Sequence, residues 1–175
     1  MDVMIVYHPA FDLYHSVYRF IQILTHMDSY DTIEIEKIRI WDFYLLFPEK
    51  LHSFKLKNIE KEIRQIIFNT IPSSKNPYEE IDNNRKVFEK IKPYQMSALK
   101  SLASYGIINR DYLAKNSVNR LSKDDMIKYA NILDQISERE LSVLKILNTY
   151  FFKIAVYGRF GLKDRSQLLE SRYDI

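Results

Sequence analysis

Residues 32–48 read TIEIEKIRIWDFYLLFP, and their apolar side chains recur largely at helical spacing. The pattern predicts a helix that Pro48 ends, because a proline disfavours helical geometry in the residue before it. A strand over residues 32–40 is the competing interpretation, since β-branched isoleucines there partly alternate with polar residues. The dense aromatic part of the segment is expected first in the core and second at an interface with a partner.

Asp42 lies between Trp41 and Phe43 in this very apolar setting. A structural role is favoured for the carboxylate, as an ion pair with Arg39 or with an arginine from a distant part of the chain. A catalytic carboxylate is the alternative. Trp41 and Tyr44 are the side chains of the segment that are expected to contact a partner.

The apolar spacing predicts further helices on both sides of this segment. Their approximate bounds are 9–25, 56–70, 81–91, 94–105, 123–135, 138–157 and 164–171. Pro93 is expected to separate the two helices in the middle of the chain. Residues 71–77 contain two prolines and two serines, which predicts a linker. The chain therefore divides into a helical half, 1–70, and a second half with a C-terminal tail, 78–175, and the two are expected to form one compact unit.

Residues 107–121 mix β-capable with polar residues and have weak helical periodicity, which predicts a short β-ribbon or an irregular loop. Two helices followed by a ribbon are the order of a winged-helix module. The predicted fold class is mainly α (α+β): a helical domain with a candidate winged-helix module and a short β-ribbon. A winged-helix DNA-binding regulator is therefore one alternative function, with Arg110, Lys115 and Arg120 as candidate nucleic-acid contacts.

The composition of the 175 residues narrows the functional classes. No cysteine occurs, which excludes disulfide scaffolds, thiolate zinc sites and cysteine nucleophiles. The three glycines are too few for glycine-rich phosphate loops or barrels. The net charge of +3 is far below that of a dedicated DNA-binding protein. No apolar run approaches the length of a membrane span, and no basic, apolar leader opens the chain, so a cytoplasmic protein without membrane contact is expected.

Residues 7–15 read YHPAFDLYH and join a polar cluster to the start of a predicted helix. His8, Asp12 and His15 have the spacing i, i+4, i+7, so a continuous helix would place them on one face. Such a trio suits a metal site or acid–base chemistry, and a metal-dependent enzyme is one hypothesis. A hydrogen-bonded anchor to another segment or to a partner is favoured, since Pro9 leaves His8 beside the helix and Asp12 suits its first turn.

Residues 158–165 read GRFGLKDR. The two glycines lack the Walker spacing and follow a helix rather than a strand, so no nucleotide site is predicted. In the tail, leucine and tyrosine side chains alternate with the charges, which favours contact with a partner over a solvated tail. The sequence has no Gly-x-Ser-x-Gly elbow and no dinucleotide fingerprint. We therefore expect no enzyme, no catalytic residue, no metal and no cofactor.

Three blocks carry a family resemblance: YHPAFDxYH at 7–15, DFYLLFP at 42–48 and GLKxRSxLLExRYD at 161–174. Together they resemble the middle-component family of bacterial ABC-three-component systems, the Lamassu-type defence operons. The blocks lie near the start, in the first third and at the end, so the resemblance spans nearly the full length. Between them, residues 50–157 match the general helical order of the family.

The resemblance implies a small non-enzymatic subunit that bridges or restrains an SMC-like ABC ATPase and an effector, often a nuclease. In that family picture the ATPase senses foreign DNA, so DNA reaches this subunit through the complex. The residues expected to bind partners are His8, Asp12, His15, Trp41, Tyr44, Gly161, Lys163, Arg165, Glu170, Arg172 and Tyr173. Arg165→Glu is expected to abolish co-purification with the ATPase subunit while the isolated chain stays folded.

Overall fold

Helices dominate the computed structural model, which describes residues 8–28, 32–73 and 83–168. The helices are α1 (Leu13–Thr25), α2 (Ile35–Leu46), α3 (Lys61–Thr70), α4 (Asn84–Ser104), α5 (Arg110–Ala114), α6 (Lys123–Ala130), α7 (Glu138–Thr149) and α8 (Leu162–Ser166). The strands are β1 (Thr32–Glu34) and β2 (Ser117–Asn119). Short 3₁₀ turns are formed by Pro9–Phe11, Pro48–Ser53 and Phe151–Lys153. The predicted mainly α (α+β) class is confirmed.

Helix α2 lies at the centre of the core and is buried on nearly all sides. Ile38, Ile40, Trp41 and Phe43 have no exposed surface. Helices α1, α4 and α7 pack around α2, which explains why this helix is apolar all round. Both interpretations of residues 32–48 hold in part, because a short strand precedes the helix.

Strand β1 pairs antiparallel with β2, and the register places Ile33 opposite Val118. Strand β2 lies in the segment predicted to form a ribbon, but its partner comes from the first third of the chain. An isolated antiparallel bridge joins Ile108 and Arg120 beside it. The expected ribbon is therefore present, although residues 107–121 supply only one of its two strands. The chain between bridge and strand forms the short helix α5.

Helix α4 is a single helix of 21 residues that continues through Pro93. Phe88 in its first half and Leu99 in its second half are both fully buried. We infer that this burial on both sides outweighs the cost of a proline inside a helix. The predicted break at Pro93 is wrong, and the two-helix part of the proposed winged-helix module is not formed.

Local capping sets several helix ends. The Ser122 hydroxyl accepts from the Asp125 amide at 3.2 Å, and Ser137 forms a reciprocal capping box with Glu140. Gly106 follows α4 with a φ of 73°, the left-handed conformation that glycine adopts without strain.

Helices α6 and α7 end at Ala130 and Thr149, earlier than the predicted residues 135 and 157. After α7 the chain enters a 3₁₀ turn, in which Phe151 is fully buried. The last helix, predicted at 164–171, is formed only in part. Helix α8 begins at Leu162 and ends at Ser166, so Gln167 and Leu168 lie outside it, and residues 169–171 lie outside the described chain. The greater part of the predicted linker, 71–77, lies outside it as well.

Buried apolar residues from both predicted halves belong to one core cluster, which joins Phe20 and Ile63 to Leu99 and Leu144. Helix α1 packs along α4, so the two halves share an interface. The division into residues 1–70 and 78–175 stays a prediction. None of the helices in the described ranges is both long and apolar enough to cross a bilayer.

Candidate interaction surfaces

The polar residues near the N-terminus serve as helix caps. The Nδ1 atom of His8 accepts from the Ala10 amide at 3.1 Å, and Oδ1 of Asp12 accepts from the His15 amide at 2.8 Å. These bonds satisfy amides that a helix start leaves without partners. Over the described parts of the chain, no group of three His, Cys, Asp or Glu side chains is placed to hold a metal ion.

Apolar side chains beside these caps point to solvent. Phe11, Leu13 and Tyr14 are 41%, 43% and 58% exposed, and we call them the N-terminal patch. The ring of Phe11 packs edge-on against Tyr94 from α4, with 5.8 Å between the centroids. Exposed aromatic residues held in place by a neighbouring helix are typical of protein interfaces.

Asp42 takes part in a buried polar network that joins α1, α2 and α4. Its carboxylate accepts from Arg19 Nε at 2.5 Å and from Gln95 Nε2 at 2.9 Å. The same guanidinium also donates to Ser16 Oγ at 3.2 Å and to the Pro9 carbonyl at 3.3 Å. The distant arginine expected for Asp42 is therefore Arg19, and its bonds tie the N-terminal turn to the core.

Arg39 continues this network on the other side of Gln95. Its Nε donates to Gln95 Oε1 at 2.9 Å, and its Nη1 donates to the Glu36 carboxylate at 2.8 Å. The guanidinium lies over the Phe88 ring, 4.4 Å from the centroid. The network contains two guanidinium groups and two carboxylates, so the buried charges compensate one another.

Trp41 and Tyr44 lie in the interior, with 0% and 2% of their surface exposed. The rings pack edge-on against Phe152 and Phe151, at centroid distances of 6.0 and 5.6 Å. Burial raises the pKa of the Tyr44 hydroxyl. In this structure neither side chain offers a surface to a partner, because the aromatic density that suggested an interface belongs to the core.

Arg165 is likewise buried and bonded within the chain. Its Nε donates to the Lys55 carbonyl at 2.8 Å, its Nη2 pairs with Glu60, and its guanidinium lies 4.9 Å from the Phe54 ring centroid. Burial by itself raises the pKa of Glu60, but hydrogen bonds from the Lys57 amide and Arg165 leave that pKa below its ordinary value. Arg165→Glu would set two carboxylates against each other, so the variant is expected to weaken the fold itself.

Gly161 permits the close turn between the end of the core and α8. A Cβ atom at this position would lie 2.6 Å from the Tyr157 carbonyl oxygen and 2.8 Å from that of Val156. No side chain fits at that distance without a backbone shift. The residue therefore has a structural role, which holds α8 against the segment that precedes it.

The exposed part of this C-terminal segment is basic and aromatic. Tyr157 and Phe160 are half exposed, and Lys163 lies 5.7 Å from the Tyr157 ring centroid. Arg159 lies 5.2 Å from the centroid of Phe160. We call these four residues the C-terminal patch. Three further predicted partner-binding residues lie outside the described chain: Glu170, Arg172 and Tyr173.

The comparison with family models gives one match. Residues 5–174 match the model of the ABC-three component (ABC-3C) system Middle Component 5. The chain belongs to this family. No curated protein and no solved structure matches it. The resemblance seen in the three sequence blocks is confirmed at the level of an ABC-three-component middle component.

The candidate nucleic-acid contacts of this middle component do not share one environment. Arg110 and Lys115 are exposed, whereas Arg120 is only 7% exposed. Arg120 Nη1 donates to the Leu24 carbonyl at 2.9 Å, so part of its guanidinium is turned into the fold. The three side chains therefore do not form a single exposed basic row.

Sequence reasoning on this middle component missed two buried residues, Arg19 and Gln95. Each lies in a predicted helix among apolar residues, and that interruption was the available signal. It also missed a groove beside α6 and α7, because a groove depends on how three helices meet. One residue of that groove has a signal in the sequence, since Asn148 interrupts the apolar face of α7.

Proposed function

We propose that this middle component is a non-catalytic adaptor that bridges or restrains an ABC-type ATPase subunit and an effector subunit of a bacterial defence complex. The observation that carries the proposal is the family match over residues 5–174. It covers the blocks at both ends of the chain as well as the helices between them. An ABC-three-component system implies partner components. The Walker, dinucleotide-binding and Gly-x-Ser-x-Gly motifs do not occur in this chain.

The placement of the polar residues supports an adaptor role. His8 and Asp12 cap helices, and Asp42 is enclosed by Arg19 and Gln95. These groups are therefore committed to stabilising the fold, and they do not converge on a cleft in which a substrate would bind. Exposed aromatic residues at the two ends are better suited to contact proteins.

The finer proposal names the partners. We assign the ATPase to the SMC-like type and the effector to the nuclease type, as in Lamassu operons, with the complex in the cytoplasm and DNA bound through the ATPase. A stable contact requires about 800 Å² on each partner, centred on aromatic or arginine side chains. The N-terminal and C-terminal patches both supply aromatic residues of this kind.

Co-expression with the neighbouring ATPase and effector subunits tests the proposal. We expect a tagged middle component to retain both subunits through affinity and size-exclusion chromatography. Tyr14→Glu, in the N-terminal patch, is expected to weaken retention, whereas Tyr105→Glu is the control because that side chain is 81% exposed outside both patches. Failure of the wild-type chain to retain either subunit would refute the proposal.

The isolated chain provides a second test. Catalytic turnover by the lone protein would contradict the adaptor role. Tight DNA binding with a steep salt dependence would instead favour the alternative DNA-binding regulator. Arg110 and Lys115 are the exposed cations whose replacement would then reduce the salt slope.

A further inference from the structure

A surface groove lies between the C-terminal end of α1 and the helices α6 and α7. It has a volume of about 700 Å³, and a second hollow of about 500 Å³ continues it along α6. Thr25, His26 and Ile127 line both hollows, so they form one continuous depression. Its size falls in the range of clefts that enclose a bound ligand or peptide.

The floor of the groove is apolar and contains one polar group without a partner. Ile127 and Leu141 are each 40% exposed, and Leu144 lies beneath them. Asn148 lines the same hollow, and its Oδ1 atom is buried without a hydrogen-bond donor among the residues that the structure describes. This acceptor lies on the apolar face of α7 and is available to a donor from outside the chain.

The rim of the groove carries an excess of positive charge. Lys123 pairs with Asp28 at 2.5 Å, and this hydrogen bond lowers the pKa of the Asp28 carboxyl. Lys145 and Lys153 also line the groove and are exposed. Asp134 lies in the other hollow, at the far end of the depression. The positive end therefore complements a negatively charged occupant, and the apolar floor complements an apolar face.

We propose that this groove binds an acidic amphipathic helix of a partner subunit. The apolar face of that helix packs on Ile127 and Leu141, its carboxylates pair with Lys145 and Lys153, and a donor on it satisfies Asn148. Helix-in-groove recognition uses this combination of an apolar stripe and charges at the rim. The inference deepens the proposed function and rests on it.

Site-specific photo-crosslinking in the co-expressed complex tests the location and the occupant. Benzoylphenylalanine replaces Leu141 in the groove or, as the control, Phe68 on α3, which is 76% exposed. We expect the groove probe to crosslink a helical segment rich in Asp and Glu in the ATPase or effector subunit. The control probe is expected to leave that segment unlabelled.

The other crosslinking outcomes overturn the inference. A basic segment, a nucleic acid or a second copy of this chain at the groove probe contradicts the stated occupant. An intact complex without a crosslink at Leu141 overturns the groove proposal and leaves the adaptor role standing. A wild-type chain that forms no complex overturns the proposed function and the groove proposal together.

Charge reversal at the groove lysines measures the electrostatic contribution to binding of the partner helix. The double variant Lys145→Glu/Lys153→Glu is expected to raise the dissociation constant of the complex at least about tenfold at low salt, with a smaller effect at high salt. Lys86→Glu/Lys90→Glu on α4 is the matched control, since it makes the same change in net charge at exposed sites outside the groove. Equal effects of the two double variants would show that general charge, and not the groove, controls binding.

Asn148→Leu separates binding from folding. Because the variant removes a buried acceptor without a donor, we expect the isolated chain to melt at the same or a higher temperature. The complex is expected to dissociate several-fold faster, since the partner's donor then loses its acceptor. A lower melting temperature with unchanged dissociation would assign Asn148 a purely structural role and contradict this part of the inference.

Discussion

Asp42→Asn is expected to destabilise the protein strongly, although the substitution changes the shape of the side chain very little. Asp42 is fully buried and accepts hydrogen bonds from Arg19 and Gln95, with the Arg19 Nε atom 2.5 Å from its Oδ1. The asparagine keeps one acceptor oxygen but leaves the guanidinium of Arg19 buried without its counter-ion. Ser16 and the Pro9 carbonyl remain as its other acceptors, and both are uncharged.

The size of the expected loss in unfolding free energy follows from the burial of the Arg19–Asp42 pair. Removing one partner of a buried ion pair costs about 3–5 kcal/mol, and the retained acceptor places this variant near the lower end, about 3 kcal/mol. With a urea m-value of about 1–3 kcal/mol/M, the unfolding midpoint falls by about 1–3 M. Domains are stable by about 5–15 kcal/mol, so the loss is large but leaves a folded protein.

Urea unfolding followed by far-ultraviolet circular dichroism measures this effect. Asp28→Asn is the matched control, because the Lys123–Asp28 pair has the same 2.5 Å separation but its aspartate side chain is 71% exposed. Exposed pairs contribute about 0–1 kcal/mol, so the control is expected to unfold near the wild-type midpoint. The double variant Arg19→Met/Asp42→Asn is expected to be no less stable than Asp42→Asn alone, because it removes the guanidinium that the single substitution leaves buried without a counter-ion. A loss at Asp42 no larger than that of the control would refute the reasoning.

Four further substitutions test the fold at single positions. Pro93→Ala is expected to raise the free energy of unfolding by about 1–3 kcal/mol, since it restores an amide donor inside α4, and an unchanged or lower urea midpoint would contradict this. Gly161→Ala is expected to cost about 1–3 kcal/mol, because its Cβ would lie 2.6 Å from the Tyr157 carbonyl oxygen. In Gly106→Ala the added Cβ atom meets no atom within 4 Å, so the substitution is expected to cost about 1 kcal/mol through the positive φ alone. A larger loss for Gly106→Ala than for Gly161→Ala would contradict the close turn described at Gly161. For Glu60, whose folded-state pKa is lowered, the stabilising contribution is present above its ordinary pKa of 4.5 and is lost as the pH falls through the folded value. Wild type is therefore expected to approach Glu60→Gln in stability as the pH is lowered, and a constant difference in melting temperature would count against the Arg165 ion pair.

Helix starts and the chain turns were accessible from the sequence because they depend on neighbouring residues. The capping box of Ser137 and Glu140 involves residues three apart, and the left-handed Gly106 depends on its own lack of a Cβ atom. The continuity of α4 was not accessible in this way. The helix runs through Pro93 because Phe88 and Leu99 are both buried, and that burial depends on other helices.

The candidate interaction residues could likewise be found only in part from the sequence. The aromatic residues around Trp41 and the charge of Arg165 predicted contacts with a partner at these two positions. The structure places both side chains inside the fold. A sequence shows that a side chain requires a partner, but it does not show whether the partner belongs to the same chain. For Arg165 the partner is Glu60, more than a hundred residues away.

The sequence by itself determined the helical class, the position of the caps and the three blocks that mark the family, since each depends on residue type and local spacing. Only the tertiary structure decided that β2 pairs with β1, that Arg19 neutralises Asp42, and that α1, α6 and α7 leave a groove with an acceptor at Asn148. The physical reason is that strand pairing, buried ion pairs and grooves are made by residues distant in the chain. Their energies depend on the distances and the burial that packing imposes.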